Sequence, residues 1–567
     1  MPSPRWNAAA TVISRRRSTS LPAAGLSAAA LTGLTLALAS CGDTDVAKSA
    51  GSLQPFTGTA PKATGDLDTL KWAVQAEPAT LDTTLAVDSA LTQSVANVVE
   101  TLLRSSPSGK VEPGLATSVE TPDPKTRVYE IRPGVTFHDG TPLTADDVVA
   151  SLDRARDPDH GSVWVSAFGS VSSVKATGPL QVTVKLKRPD VLFDSYLATT
   201  AGAIESKAFL AKAGKDYGSP QVGVNGTGPY ELERWTKGQS FTLNRAATYW
   251  DPSLKAHAKT VQISFLPDAA ARTNALLTGG IDGSYELDPS TYAKLQRSGK
   301  GRLFLTSGIN AYHLVPLNKT SALGDVRVRR ALSLALDRQG INGAAWAGTG
   351  TIARGPAASG AWQTLVPNGR ELWAEAPEPK TDLAEAKRLV GEAGATGKKI
   401  VLVYHTTFAL FPTVANAVAS AGREIGLDVQ LRPQPFAKAV SVYFNPKDRR
   451  GYDLAIYPET PQTADPTELS KSLTTGNAQN FGDWSDPAYD ALVDEALGEP
   501  DPQARAATLV KAQAILSEQL PWIPLVEPAA RVFLRSGIAG APTTIAPRQG
   551  YPWAALVGTG DTTSDQG

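Results

Sequence analysis

From Leu67 onward, apolar residues recur at two alternating periods, and that alternation limits the chain to one fold class. Leu180, Val182, Val184 and Leu186 alternate with Gln181, Thr183 and Lys185, the pattern of a strand with one buried face. Leu70 to Val74 and Val261, Ile263 and Phe265 read the same way. Helical spacing appears in Val328, Ala331, Leu332 and Ala335, with Asp325 placed to cap the helix. Two further start signals are Thr144-x-x-Asp147 before Val148, and Asp382-x-x-Glu385 before Ala386 and Leu389. Strands and helices interleaved over about 450 residues predict an α/β architecture. No short-period repeat is present, which argues against solenoids and propellers.

The start of the chain has a different character. Residues 1–40 carry Arg5, Arg15, Arg16 and Arg17 and no acidic residue, followed by an apolar, small-residue run from Leu21 to Ser40. A basic region followed by such a run reads as an export signal. It ends Leu38-Ala39-Ser40-Cys41-Gly42, which resembles a bacterial lipobox; that resemblance implies lipidation of Cys41 as the first mature residue. Whether export is by the general secretory or the twin-arginine route stays open. Residues 41–66, rich in Gly, Ser, Thr, Ala and Pro, read as a flexible tether. The expected location is the outer face of the bacterial cytoplasmic membrane.

Composition excludes several functions. With 55 basic and 55 acidic residues the chain has no electrostatic footprint for nucleic acid. A single cysteine permits neither an internal disulfide nor a CxxC metal or redox site. The five histidines (His138, His160, His257, His313, His405) make no HExxH pair. There is no GxSxG elbow and no GxxxxGK[ST] loop. The stretch Gly391 to Lys398 has the wrong spacing for phosphate and reads as a helix ending at Gly394. No residue argues for an enzyme or calls for a cofactor or metal.

Four segments in order carry a family resemblance. They are Val128 to Val148 (with the Asp139-Gly140 turn), Gly226-Thr227-Gly228-Pro229-Tyr230 with Tyr249-Trp250, Asp325 to Arg338, and Tyr452 to Ile456 through Asp465-Pro466 to Leu520-Pro521-Trp522. Together they resemble the family 5 extracellular solute-binding proteins, receptors of peptide- and nickel-type ABC importers. The resemblance implies a two-lobed periplasmic-binding-protein-like fold (class II, with an extra subdomain) that closes on a ligand. The implied layout is lobe one at 67–314 with a subdomain at about 114–221, lobe two at 315–520, and a return at 521–567. Chain crossings are expected near 309–314 and 520–525. Implied partners are a peptide or small-molecule ligand, a separate permease and ATPase, and the membrane through the lipid; a monomer is expected.

In peptide-binding relatives an Asp ahead of the Asp-Pro pair holds the ligand's ammonium group. Here the matching position is Gln462, which carries no charge, and Glu459 or Asp465 is left to substitute. Other cleft candidates are Gln75 and Glu77 after the first strand, and His405, Thr406, Phe408 and Phe411 after the strand 400–404. The neutral Gln462 keeps a non-peptide ligand open (a sugar, an opine or a metal chelate). A ligand-sensing receptor and an exported enzyme on the same scaffold are the competing classes.

Overall fold

The computed structural model describes residues 60–85, 88–544 and 549–561. The export signal, Cys41 and the tether as far as residue 59 lie outside the described residues.

Strand β1 (Leu67–Val74) opens the body, and β2 (Leu103–Ser105) and β3 (Val111–Pro113) form a small hairpin. Next come β4 (Ala116–Asp123), β5 (Thr126–Ile131), β6 (Val171–Gly178) and β7 (Gln181–Leu186), an antiparallel sheet in the order β4-β5-β7-β6. In β7, Val182, Val184 and Leu186 are buried, as their alternation requires. The chain then builds β8 (Tyr230–Thr236), β9 (Ser240–Arg245), β10 (Ala258–Phe265), β11 (Gly283–Ser284) and β12 (Gly301–Thr306). A second body holds β13 (Ala311–Pro316), β14 (Thr351–Ile352), β15 (Lys399–His405), β16 (Asp428–Gln434), β17 (Leu454–Glu459) and β18 (Ile523–Glu527). The chain returns through β19 (Ala530–Arg535) and ends in the short pair β20 (Ile538–Ala539) and β21 (Gly558–Thr559).

Lobe one is built on a seven-stranded sheet, β12-β19-β11-β1-β10-β9-β8, and lobe two on a six-stranded sheet, β14-β18-β13-β17-β15-β16. The parallel members are β1 with β10 and β11 in lobe one, and β15 with β16 and β17 in lobe two. Helices cover the lobe-two sheet where the sequence places them. Asp325 accepts from Arg327 N at the start of Val326–Ala335, and Asp382 from Glu385 N at the start of Leu383–Glu392. Asp147 accepts from both Thr144 N and Thr144 Oγ1 ahead of Ala145–Ala155. Past Leu383–Glu392, Gly394 takes a positive φ of 59°, so this stretch is a helix ending and not a phosphate loop.

Three boundaries differ from the expectation. The first crossing is 307–310, because β13 already pairs in the lobe-two sheet from Ala311. The second is 528–529 and not 520–525, because β18 pairs with β13 and β14 of lobe two up to Glu527. Residues 60–66 are docked and not a free spacer: Ala60 is buried, Thr64 N and Gly65 N donate to Thr559 O, and Gly540 N donates to Pro61 O. The antiparallel sheet around 116–186 does not keep a separate core. Its buried Val184, together with Leu197 of the helix Phe193–Leu197 that follows, belongs to one apolar cluster with Tyr489, Leu497 and Trp522 of lobe two.

The recognisable motifs turn out to be structural. Glu100, 3% exposed, accepts from Tyr249 Oη (2.8 Å), Trp250 Nε1 (2.7 Å), Thr227 Oγ1 (2.8 Å) and Arg104 Nη2 (3.0 Å). Gly228 lets this loop approach, since a Cβ there would lie 2.6 Å from Asn97 O. His138 Nε2 bonds Gly228 O at 2.9 Å, and Asp139 accepts from Thr141 N to close the turn at Gly140. Removing a partner from such a buried ionic cluster strands the remaining polar groups. Glu100→Ala should lower unfolding stability by about 3 kcal/mol, read as an earlier urea midpoint.

Candidate functional site

In both lobes the carboxyl ends of the parallel strands face the crossings. In lobe one β1 runs into Gln75 and β11 into Tyr285 and Glu286; in lobe two β15 ends at His405 and β17 at Glu459. Ligands of open α/β sheets bind at such ends. Loops from both lobes meet there and enclose three gaps.

The largest of these, about 360 Å³, is lined from lobe one by Ser105, Lys110 and Thr199, and from lobe two by Thr364, Thr463 and Arg505. A smaller one of about 80 Å³ sits at the crossings, lined by Glu286, Ile309, Asn310, Pro528 and Arg531. A third, about 190 Å³, separates Asp288–Ser290 of lobe one from Ala409 and Leu410 of lobe two. The first two approach each other across a wall in which Ile309, Ala361 and Ala464 pack together.

One hydrogen-bonded chain crosses the cleft. Ser105 Oγ donates to Gln549 Oε1 (2.9 Å), and Gln549 Nε2 donates to Gln462 O (3.0 Å). The Gln462 loop is in turn clamped by Glu468, which accepts from Gln462 N (3.1 Å), Thr463 N (2.7 Å) and Thr463 Oγ1 (2.7 Å). Gln462 thus serves through its backbone as the lobe-two end of an interlobe contact.

The candidate residues fall into three groups. Two are occupied elsewhere. Glu77 accepts from Trp235 Nε1 (2.7 Å) and Gly238 N (3.0 Å), which holds the β8–β9 hairpin. Asp465 lines the 360 Å³ cavity, yet its carboxylate caps the helix Pro466–Ser472 through Thr467 N and pairs with Arg505 Nη2 at 3.1 Å. Neither carboxylate is free to substitute at the Gln462 position. A second group lies around the loop after β15 and lines none of the three gaps: Thr406 and Phe408 are exposed, whereas Phe411 is buried. His405 is 2% exposed with its ring 3.7 Å from that of Phe411, and burial pushes its imidazole down to about 4. It is a neutral packing group. Gln75 is half-buried beyond β1.

Glu459 stands by itself. It is 2% exposed, Oε2 has no hydrogen-bond partner, and burial together with the nearby Glu468 charge pushes its carboxyl up to about 8. Glu527, at the end of β18, is also pushed up to about 8 by burial, although Ser359 N and Oγ donate to its Oε2. Sequence reasoning missed Gln549, Asn310, Glu286 and Arg505. No local signal marks them, because each reaches the cleft through a contact distant in sequence.

Among the described residues no group of three or more His, Cys, Asp or Glu could hold a metal ion, and no helix is long and apolar enough to cross a membrane. The profile of bacterial extracellular solute-binding proteins, family 5 Middle, matches residues 110–481. The chain belongs to this family. It is a family of binding proteins and not of enzymes. The periplasmic murein peptide-binding protein MppA of Escherichia coli K12 is 26% identical over 500 residues, covering 83% of this chain and 89% of the relative. The oligopeptide-binding protein OppA of the same strain is 28% identical over 458 residues, covering 76% and 81%. The fold matches DppA of Helicobacter pylori in complex with the peptide STSA, at a TM-score of 0.76 and 21% identity over 87% of this chain and 98% of that one. AgaA of A. tumefaciens R10, in complex with agropinic acid, matches at 0.73 and 24% over the same shares.

In this family 5 protein the buried acids set a pH dependence. A carboxyl at about 8 when folded and about 4.3 when unfolded keeps its proton in the folded state across that interval. The unfolded state binds fewer protons there, so stability falls as pH rises from about 5 through about 8. The melting temperature should be higher at about pH 5.5 than at about pH 8.5, and Glu459→Gln should flatten the slope.

Proposed function

We propose that the protein is the extracytoplasmic ligand receptor of an ABC importer, which captures a small peptide or similar solute by closing its lobes and presents the closed form to a separate permease. The observation that carries this reading is the interlobe cleft: cavities at the carboxyl ends of both sheets, walled by both lobes and spanned by the Ser105–Gln549–Gln462 contact. Two short crossings permit a hinge, and a ligand drives closure only by interacting better with the closed form than with the open one. The Arg505 and hydroxyl groups of the larger cavity suit a polar solute. Transport energy must come from an ATPase subunit, since the sequence has no nucleotide loop.

A peptide is the first ligand to test, in keeping with the peptide-binding relatives. A non-peptide solute is favoured by one observation: Gln462 carries no charge and its carbonyl is taken by Gln549. The protein is attached to the membrane through lipid on Cys41 and works as a monomer.

Native mass spectrometry of the purified protein, followed by denaturing release, identifies what it carries. A released peptide supports the reading. A released non-peptide solute keeps the receptor and removes the peptide. Conversion of a bound compound to product would overturn the receptor reading. Cys41→Ser should move the protein from the membrane fraction to the soluble fraction, and retention in the membrane would contradict lipid attachment.

A further inference from the structure

The 360 Å³ cavity between the lobes has a cation on each of its walls. Arg505, in the first turn of the helix Pro502–Gln519, is 7% exposed and lines the cavity from lobe two. Its Nη1 donates to Glu499 O (2.8 Å) and its Nη2 to Asp465 Oδ2 (3.1 Å), but its Nε is buried with no acceptor. A buried donor on a charged group is costly to leave unpaired. Such a group in a native fold calls for an explanation.

Lys110 lines the same cavity from lobe one. It ends the turn of the β2–β3 hairpin, which Gly109 N to Ser106 O and Ser106 N to Lys110 O close at 2.8 Å each, with Gly109 at a φ of 80°. Lys110 is exposed, and its ammonium makes no ion pair or hydrogen bond among the described residues. Asp465 is the single carboxylate in the lining, and Thr467 N and Arg505 Nη2 have claimed its oxygens. Two cations against one committed acid leave the cavity with surplus positive charge. Val111, Ala198 and Leu365 add apolar surface beside them, which suits an organic acid better than a bare inorganic ion.

We propose that the ligand carries a carboxylate that docks in this cavity, between Lys110 of lobe one and Arg505 of lobe two. This rests on the receptor reading above and adds the chemical class of the group recognised. Closing the empty lobes brings two cations toward one space, which is unfavourable. Closing them on a carboxylate gives each cation a charge-assisted partner and supplies Arg505 Nε with its acceptor. The ligand then interacts better with the closed form than with the open one, as hinge closure requires.

The test is thermal unfolding of the full-length protein, Lys110→Gln and Arg505→Lys with four probes: succinate, succinamide, tri-alanine and tri-alanine amide. The two acids should raise the wild-type melting temperature by about 2 °C or more, while the two amides should not. Lys110→Gln removes a charge from an exposed turn, so it should melt like wild type without probe and lose at least half of the acid response. Arg505→Lys keeps a cation beside Asp465 but loses Nε, and should weaken the response as well. An undiminished acid response in either variant would overturn the proposal, as would no response of wild type to either acid. If succinate acts and tri-alanine does not, the carboxylate inference stands and the peptide reading falls. If tri-alanine and its amide act alike, the peptide reading stands and the carboxylate inference falls.

Discussion

The two crossings, 307–310 and 528–529, are the constraint on which the rest of the molecule depends. They are the covalent links between the two principal sheets, and they touch. A Cβ on Gly308 would lie 2.6 Å from Pro528 O, so only glycine lets the two segments run this close. Links this short and this close hold the sheets end to end. The carboxyl ends of the parallel strands in each lobe then face the other lobe, and any solute held there touches both.

Rigidity is concentrated away from that line. In lobe one Trp72 packs on Trp553 with ring centres 4.5 Å apart, and Glu100 gathers donors from three segments. Arg154 bridges Asp82 and Glu205, which ties the helix Ala145–Ala155 to the loop after β1. In lobe two the rings of Tyr443, Tyr457, Phe481 and Trp522 pack under β17. Across the cleft the polar contacts are sparser, and one of them runs from Gln549 in the cavity lining to the Gln462 carbonyl. These neutral hydrogen bonds contribute about 1 kcal/mol each, while Val184 and Leu197 also pack in one apolar cluster with Tyr489, Leu497 and Trp522 of lobe two.

Much of the fold was legible in the sequence, because its signals are local. The period-two runs of β1, β7 and β10 and the caps at Asp325 and Asp382 appear where the residues place them. The motif segments carried the family, and His138 and Asp139 within them hold the turn at Gly140 and its packing on Gly228. The site was less legible. Residue type and position suggested Glu77 and Asp465, but a carboxylate is available only if nothing else has claimed it, and Trp235, Gly238 and Arg505 claim these two. Gln549 lies 87 residues from the carbonyl it reaches, beyond any local pattern. The return crossing, expected from the resemblance near 520–525, falls later because β18 stays paired in the lobe-two sheet up to Glu527.

Closure about these crossings is measured most directly by small-angle X-ray scattering. The protein stripped of ligand would be compared with protein saturated with the compound released from it, alongside Gln549→Ala. A smaller radius of gyration on saturation, with Gln549→Ala more open than wild type when empty, is the predicted result. An unchanged radius at full occupancy would contradict hinge closure.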